Sequence, residues 1–203
     1  MITFKQFISE RESRVNAALK MIEYHCGPFL RESKRSGFLI RGIKGLSGLA
    51  SKSVLDIDNE ELEYAIKQVR GDRKPLDSTP IRHEFVDKWF KETAGFSARS
   101  EAVFAYGKHV DKGEVSPYGT PCIIFPIGEI KYVWSAKVQD LYSDIPGTIR
   151  SEEALRKWLD DQGYKTTGLE EAVQSKSEIM IKCESYFAFP LEYKDQLTKS
   201  LGF

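Results

Sequence analysis

The chain has 203 residues, enough for one domain that buries roughly 70% of its unfolded surface without a disulfide or metal staple. With 41% apolar, 12% aromatic and 30% charged residues, the composition is that of a soluble globular protein and excludes a disordered or fibrous one. Thirty Lys and Arg balance thirty Asp and Glu, which argues against a dedicated nucleic-acid binder, since such proteins carry net positive charge to displace counterions.

Cys26, Cys122 and Cys183 are too few and too scattered for a disulfide framework. There is no C-x-x-C pair, and His25, His83 and His109 lie far apart, so no metal site is expected. The longest apolar run is about five residues, too short for a membrane helix, and the first ten residues lack the apolar core of a secretory signal.

Residues 3–24 carry Phe4, Phe7, Ile8, Val15, Leu19 and Ile22 at helical spacing, and Gly27-Pro28 is expected to stop that helix. A basic turn, Arg31 to Arg35, leads into a strand, Phe38-Leu39-Ile40-Arg41-Gly42. The glycines at 42, 45 and 48 predict a mobile loop. A short helix is predicted from Asp58 to Val69, ended by Gly71. The turn Arg73 to Pro80 opens a helix capped by Ser78 or Thr79, with Ile81, Phe85, Val86, Trp89 and Phe90 on one face and Gly95 at its end. Short β-rich runs follow at 102–105, 122–126 and 131–134. A helix is expected at 151–162, and Thr167 to Glu170 has capping-box spacing for another. Two strands close the pattern, Glu178 to Cys183 and Tyr186 to Phe189. Without a βαβ rhythm, the order predicts an α+β fold.

No nucleotide-binding glycine loop, zinc-protease motif or nucleophile elbow is present. What remains is an arginine on an early strand, an aromatic strand in the middle and a glutamate opening a late strand. In that order, Phe38 to Gly42, then Ala102 to Ala105 with Ser116-Pro117-Tyr118-Gly119 and the strand from Cys122, then Ser175 to Ile181, the chain resembles the ADP-ribosyltransferase superfamily. The resemblance implies a split antiparallel β-sheet with flanking helices, fronted by an N-terminal helix (residues 1–30) on a transferase-like domain (residues 31–203). It implies NAD as cosubstrate and a macromolecular acceptor. Glu178 is then the catalytic carboxylate, Arg41 and Gly42 hold the dinucleotide, and Phe104 and Tyr118 flank the nicotinamide. The chemistry fits those residue types. A carboxylate can hold the ribose 2′-hydroxyl and stabilise an oxocarbenium-like state, and an arginine fork matches phosphate oxygens.

Three departures stand out. Lys176 occupies the place where arginine-specific transferases carry Glu or Gln, no Ser-Thr-Ser strand is present, and Val103 replaces a tyrosine before Phe-Ala. They leave the acceptor class open and keep a non-enzymatic protein on the same fold as the alternative. The first ten residues resemble leaders of T4-type bacteriophage proteins, which implies an infected bacterial cytoplasm or a virion as the setting, a host or phage protein as the acceptor, and the capsid or a host factor as a partner. Each candidate also has a plain structural reading. Arg41 can be an ion-pair partner, Glu178 a solvated strand end, and Phe104 and Tyr118 core packing. Arg73, Asp77 and Arg99 can bind phosphate or hold a turn together. His83 reads as an ordinary helix-flank residue, and Cys122 and Cys183 as buried and inert.

Overall fold

The structure, a computed structural model, describes residues 20–44, 53–57, 60–71 and 79–203. The expectations for residues 1–19, including the phage-leader resemblance, for the glycine-rich stretch 45–50, and for Arg73, Asp77 and Ser78 lie outside the described residues. The fold is α+β, as expected. Eight antiparallel strands form one sheet in the order β2-β3-β8-β5-β1-β4-β7-β6. In chain order they are β1 (Leu39–Ile43), β2 (Ser53–Ile57), β3 (Glu60–Gln68), β4 (Val103–Tyr106), β5 (Thr120–Ile127), β6 (Lys131–Trp134), β7 (Glu178–Lys182) and β8 (Ser185–Pro190).

The sheet has a seam. β1 pairs with β5 along its whole length, from Leu39–Ile124 to Ile43–Thr120, but meets β4 at Ile40–Tyr106. β4 then pairs with β7 from Val103–Ile181 to Tyr106–Glu178. Ile123, Phe125, Phe187 and Phe189 join Phe29 and Leu30 of helix α1 (Gly27–Glu32) in one apolar cluster that crosses the seam to Ala105, Ile179 and Trp134. In a second cluster, Val133 and Met180 pack against helices α2 (Pro80–Ala94) and α6 (Glu152–Asp161) through Val86, Trp89, Phe90, Leu155 and Leu159. Each such side chain, fully buried, contributes about 1.5–3 kcal/mol. The indole N–H of Trp89 donates to Asp160 Oδ1 at 2.8 Å and fixes α2 to α6.

Several local expectations hold. Thr79 caps α2 by accepting from the Arg82 N–H at 3.3 Å, Pro80 sits in its first turn, and Gly95 ends it at φ 78°. Ser151 caps α6 in the same way. The strands at β4, β5, β6, β7 and β8 lie where the β-rich runs placed them.

Other expectations are corrected. Residues 60–68 are a strand, not the helix predicted from Asp58 to Val69, because they pair with β2 on one side and β8 on the other. The N-terminal helical segment at 20–25 does end just before Gly27-Pro28, as expected, but that pair also opens a further helix, α1, where a missing proline N–H costs nothing. Ile81 is 72% exposed and does not join the apolar face of α2. Helix α7 (Leu169–Val173) has Gly168 at its cap, not Thr167, whose carbonyl accepts the Trp134 indole N–H at 2.9 Å. Two short helices, α3 (Ala98–Glu101) and α5 (Leu141–Asp144), and the C-terminal α8 (Lys194–Leu201) were not foreseen; α4 is Lys112–Val115.

Candidate functional site

Glu178 opens β7 and is 6% exposed, not the solvated strand end that its position suggests. Its backbone N–H donates to the Gln139 carbonyl at 2.9 Å, which draws the segment before α5 over the strand end. Its Oε2 accepts from the Leu141 N–H at 3.3 Å and lies 3.7 Å from Arg99 Nη1. The carboxylate is thus buried among polar partners, the setting in which a buried charge is tolerated.

Tyr106, the register partner of Glu178, donates its hydroxyl to Asp140 Oδ2 at 3.0 Å. Asp140 Oδ1 in turn caps α5, accepting from the Tyr142 and Ser143 N–H groups. Burial above all, with the Glu178 and Asp140 charges, pushes the Tyr106 phenol well up, so it stays a donor through neutral pH. Tyr164 packs edge-on against Trp89 and Phe90, and its buried hydroxyl makes no hydrogen bond among the described residues. Burial raises its phenol too, followed by the Glu178 charge, with Arg99 opposing.

Alternation along the strands sorts the candidates by face. Phe104 and Tyr106 project to the same face as Glu178, and Ile40 and Gly42 share it through the Ile40–Tyr106 pair. Gly42 is required there, because a Cβ would stand 2.5 Å from the Val115 carbonyl and 2.7 Å from the Tyr118 Cβ. Tyr118, 48% exposed, therefore closes directly on β1. Phe104 lies under the Arg99 guanidinium, whose carbon is 4.5 Å from the ring centre. Gly42, Phe104, Tyr118 and Glu178 are gathered around Tyr106. Arg41 is set apart: its register position belongs to the opposite face, and its Nη1 donates to the Phe104 carbonyl at the seam, not to Glu178. Among the described residues, Arg99 is a cation beside Glu178.

Arg99 is positioned by Asp87, a buried carboxylate of α2 whose Oδ1 accepts the N–H groups of Arg99 (2.6 Å) and Ser100 (3.2 Å). Ser100 Oγ also donates to Asp87 Oδ2 and lies 3.0 Å from His83 Nε2. His83 is thus part of this cluster instead of an ordinary flank residue. The arrangement is not a nucleophilic triad, because the carboxylate bonds the hydroxyl itself and not the far nitrogen of the ring. It is a cap that holds α3.

Sequence reasoning missed Tyr106, Asp140 and Tyr164, and named Arg99 without its partner. Tyr106 directly follows the Phe104-Ala105 motif, and Asp140 before Leu141 has the form of a helix cap; those two signals were present. Cys26, Cys122 and Cys183 are all buried free thiols. Among the described residues, no group of three or more His, Cys, Asp or Glu side chains is placed to hold a metal ion, and no helix is long and apolar enough to cross a membrane. Comparison with protein-family models, curated proteins and solved structures found no match.

Proposed function

We propose that the protein transfers ADP-ribose from NAD to a macromolecular acceptor, with Glu178 as the catalytic carboxylate. One observation carries this. The segments that bear the resemblance, β1, β4 and β7, are separated in sequence yet stand as consecutive neighbours in the sheet, with Gly42, Phe104, Tyr118 and Glu178 on one face. The narrow β1–β4 contact is consistent with the split-sheet transferase architecture.

In that role, Glu178 holds a ribose hydroxyl and stabilises positive charge at the anomeric carbon. The buried Tyr164 hydroxyl, in the same charged cluster, has no hydrogen-bond partner among the described residues. Tyr118 offers an exposed ring to a planar heterocycle. Arg41, half-buried at the seam with one Nη group on the Phe104 carbonyl, belongs to the opposite face, so Arg99 is the cation on the Glu178 face that would meet a pyrophosphate.

Calorimetric titration with NAD tests the assignment. Wild type is expected to bind, and Tyr118→Ala to bind about tenfold more weakly through loss of one stacking face. Absence of heat with wild type would remove the proposal.

A further inference from the structure

We infer that residues 139–144 are a lid resting shut over the Glu178 carboxylate, and that the dinucleotide reaches the carboxylate only when this lid lifts; the inference rests on the transfer reaction proposed above. A carboxylate that holds a ribose hydroxyl must lie within hydrogen-bond reach of it. Glu178 is 6% exposed, and its Oε2 already accepts the Leu141 N–H at 3.3 Å and faces Arg99 Nη1 at 3.7 Å. At that exposure a sugar has no path to the oxygens until one of the covering elements withdraws.

Of those elements, α3 is fixed. Asp87 accepts the Arg99 and Ser100 N–H groups, and Glu101 pairs with Lys182 of β7 at 2.6 Å. The 139–144 segment is built to move as a unit, because many of its hydrogen bonds are internal. Asp144 Oδ2 accepts the Gln139 and Asp140 N–H groups at 2.7 and 3.2 Å, and Asp140 Oδ1 accepts those of Tyr142 and Ser143 at 2.9 and 3.1 Å. Its helix, α5, is a single turn between extended backbone at Asp140 and Ile145. Pro146-Gly147 follows, and a Cβ at Gly147 would meet nothing within 4 Å.

Other contacts hold the lid down. The Tyr106 hydroxyl donates to Asp140 Oδ2 at 3.0 Å, the Gln139 side-chain amide donates to Glu114 Oε2 at 2.6 Å, and the buried Leu141 side chain packs in one cluster with α2 and α6. Burial of Leu141 makes the shut position the resting one. The Gln139–Glu114 bond is different in kind. It lies on the surface and ties the lid to α4, whose end leads into the turn that carries Tyr118. It is a latch that can be altered without touching Glu178. NAD meets the carboxylate only in molecules whose lid is lifted, so apparent affinity scales with that fraction.

Two changes to the full chain bias the lid in opposite directions. Glu114→Ala removes the latch and is expected to raise nicotinamide release about threefold at NAD below half-saturation. Glu114→Cys/Gln139→Cys bridged by a short bis-maleimide holds the lid down, and release is expected to fall about tenfold or more. The native thiols are buried and do not compete for the reagent. Each single cysteine variant capped with N-ethylmaleimide should keep at least the wild-type rate; a bridged protein as fast as these would overturn the lid. Hydrogen exchange reads the lid without NAD. Amides of 139–144 should exchange about threefold faster in Glu114→Ala while those of β7 keep the wild-type rate. Unchanged exchange at 139–144, or an equal rise in β7, would overturn the inference. Faster exchange at 139–144 with no nicotinamide release from wild type leaves the lid standing and sinks the transfer reaction. Release that bridging does not slow leaves the reaction standing and sinks the lid.

Discussion

The Arg99 guanidinium lies 3.7 Å from the Glu178 carboxylate and 4.5 Å above the centre of the Phe104 ring, so one side chain from α3 joins two candidates carried by different strands. Both partners are largely buried, at 17% and 6% exposure of their side chains. Removing one member of such a pair leaves the buried charge of the other less well compensated. Arg99→Ala is expected to cost about 3 kcal/mol in urea unfolding, and the double variant Arg99→Ala/Glu178→Gln distinctly less than the sum of the single changes. Additive effects would show that the two groups do not interact.

Asp87 supports the same pair from behind. Its carboxylate accepts the Arg99 and Ser100 N–H groups, and Asp87→Ala should therefore destabilise the protein by about 1–2 kcal/mol, as loss of a helix cap does. Asp87→Asn keeps one acceptor oxygen and should recover part of that loss. A fully stable Asp87→Ala protein would remove the capping role.

Gly42→Ala tests the closure of Tyr118 on β1. The new Cβ would meet the Val115 carbonyl at 2.5 Å, a backbone atom that cannot turn aside. The expected cost is about 1–3 kcal/mol with displacement of the 115–118 segment. Wild-type stability with an unmoved Tyr118 would contradict the close approach.

Acid should silence one surface pair selectively. The hydrogen bond from Lys182, at 2.6 Å, is the main cause holding the Glu101 carboxyl below its ordinary value of 4.5. A lowered carboxyl stabilises the fold fully above its unfolded value and loses that contribution as pH falls through the folded one. The side chains are 45% and 34% exposed, so solvent screening limits the effect to about 1 kcal/mol or less. Urea unfolding of Glu101→Gln should show this small loss at neutral pH, and the loss should shrink as pH falls below 4.5. A loss that grows on acidification would reverse the assigned sign.

The thiols give a further check. Burial pushes Cys122 and Cys183 up to about 12 and Cys26 further still, which suppresses the reactive thiolate. A chromogenic disulfide reagent at about pH 8 should find no fast thiol in the native protein and all three after denaturation. A fast native thiol would show that one of these residues reaches solvent.

Local chemistry was what the sequence disclosed. Thr79-Pro80 and Gly95 bracket α2 because capping and left-handed φ are properties of single residues. The β-rich runs around Phe104, Ile123 and Tyr132 declare themselves through branched and aromatic side chains. The segment 60–68, Glu-Glu-Leu-Glu-Tyr-Ala-Ile-Lys-Gln, is rich in helix formers and becomes a strand because β2 and β8 pair with it, which local propensity cannot register. Helix α8 buries Leu197 and Leu201, and two leucines four apart are too sparse a signal. The site divides the same way. Glu178, Phe104, Gly42 and Tyr118 could be named from their motifs, but the face Arg41 takes depends on its register with β4, and the Arg99–Glu178 contact on the path of α3.

The central claim is that Glu178 cleaves the bond between nicotinamide and ribose, and nicotinamide release from NAD by wild type and Glu178→Gln tests it most directly. The glutamine keeps the shape and the Leu141 hydrogen bond but lacks the charge, so release should fall about a hundredfold or more while thermal unfolding confirms a folded variant. Equal rates in the two proteins, or no release by wild type, would contradict it.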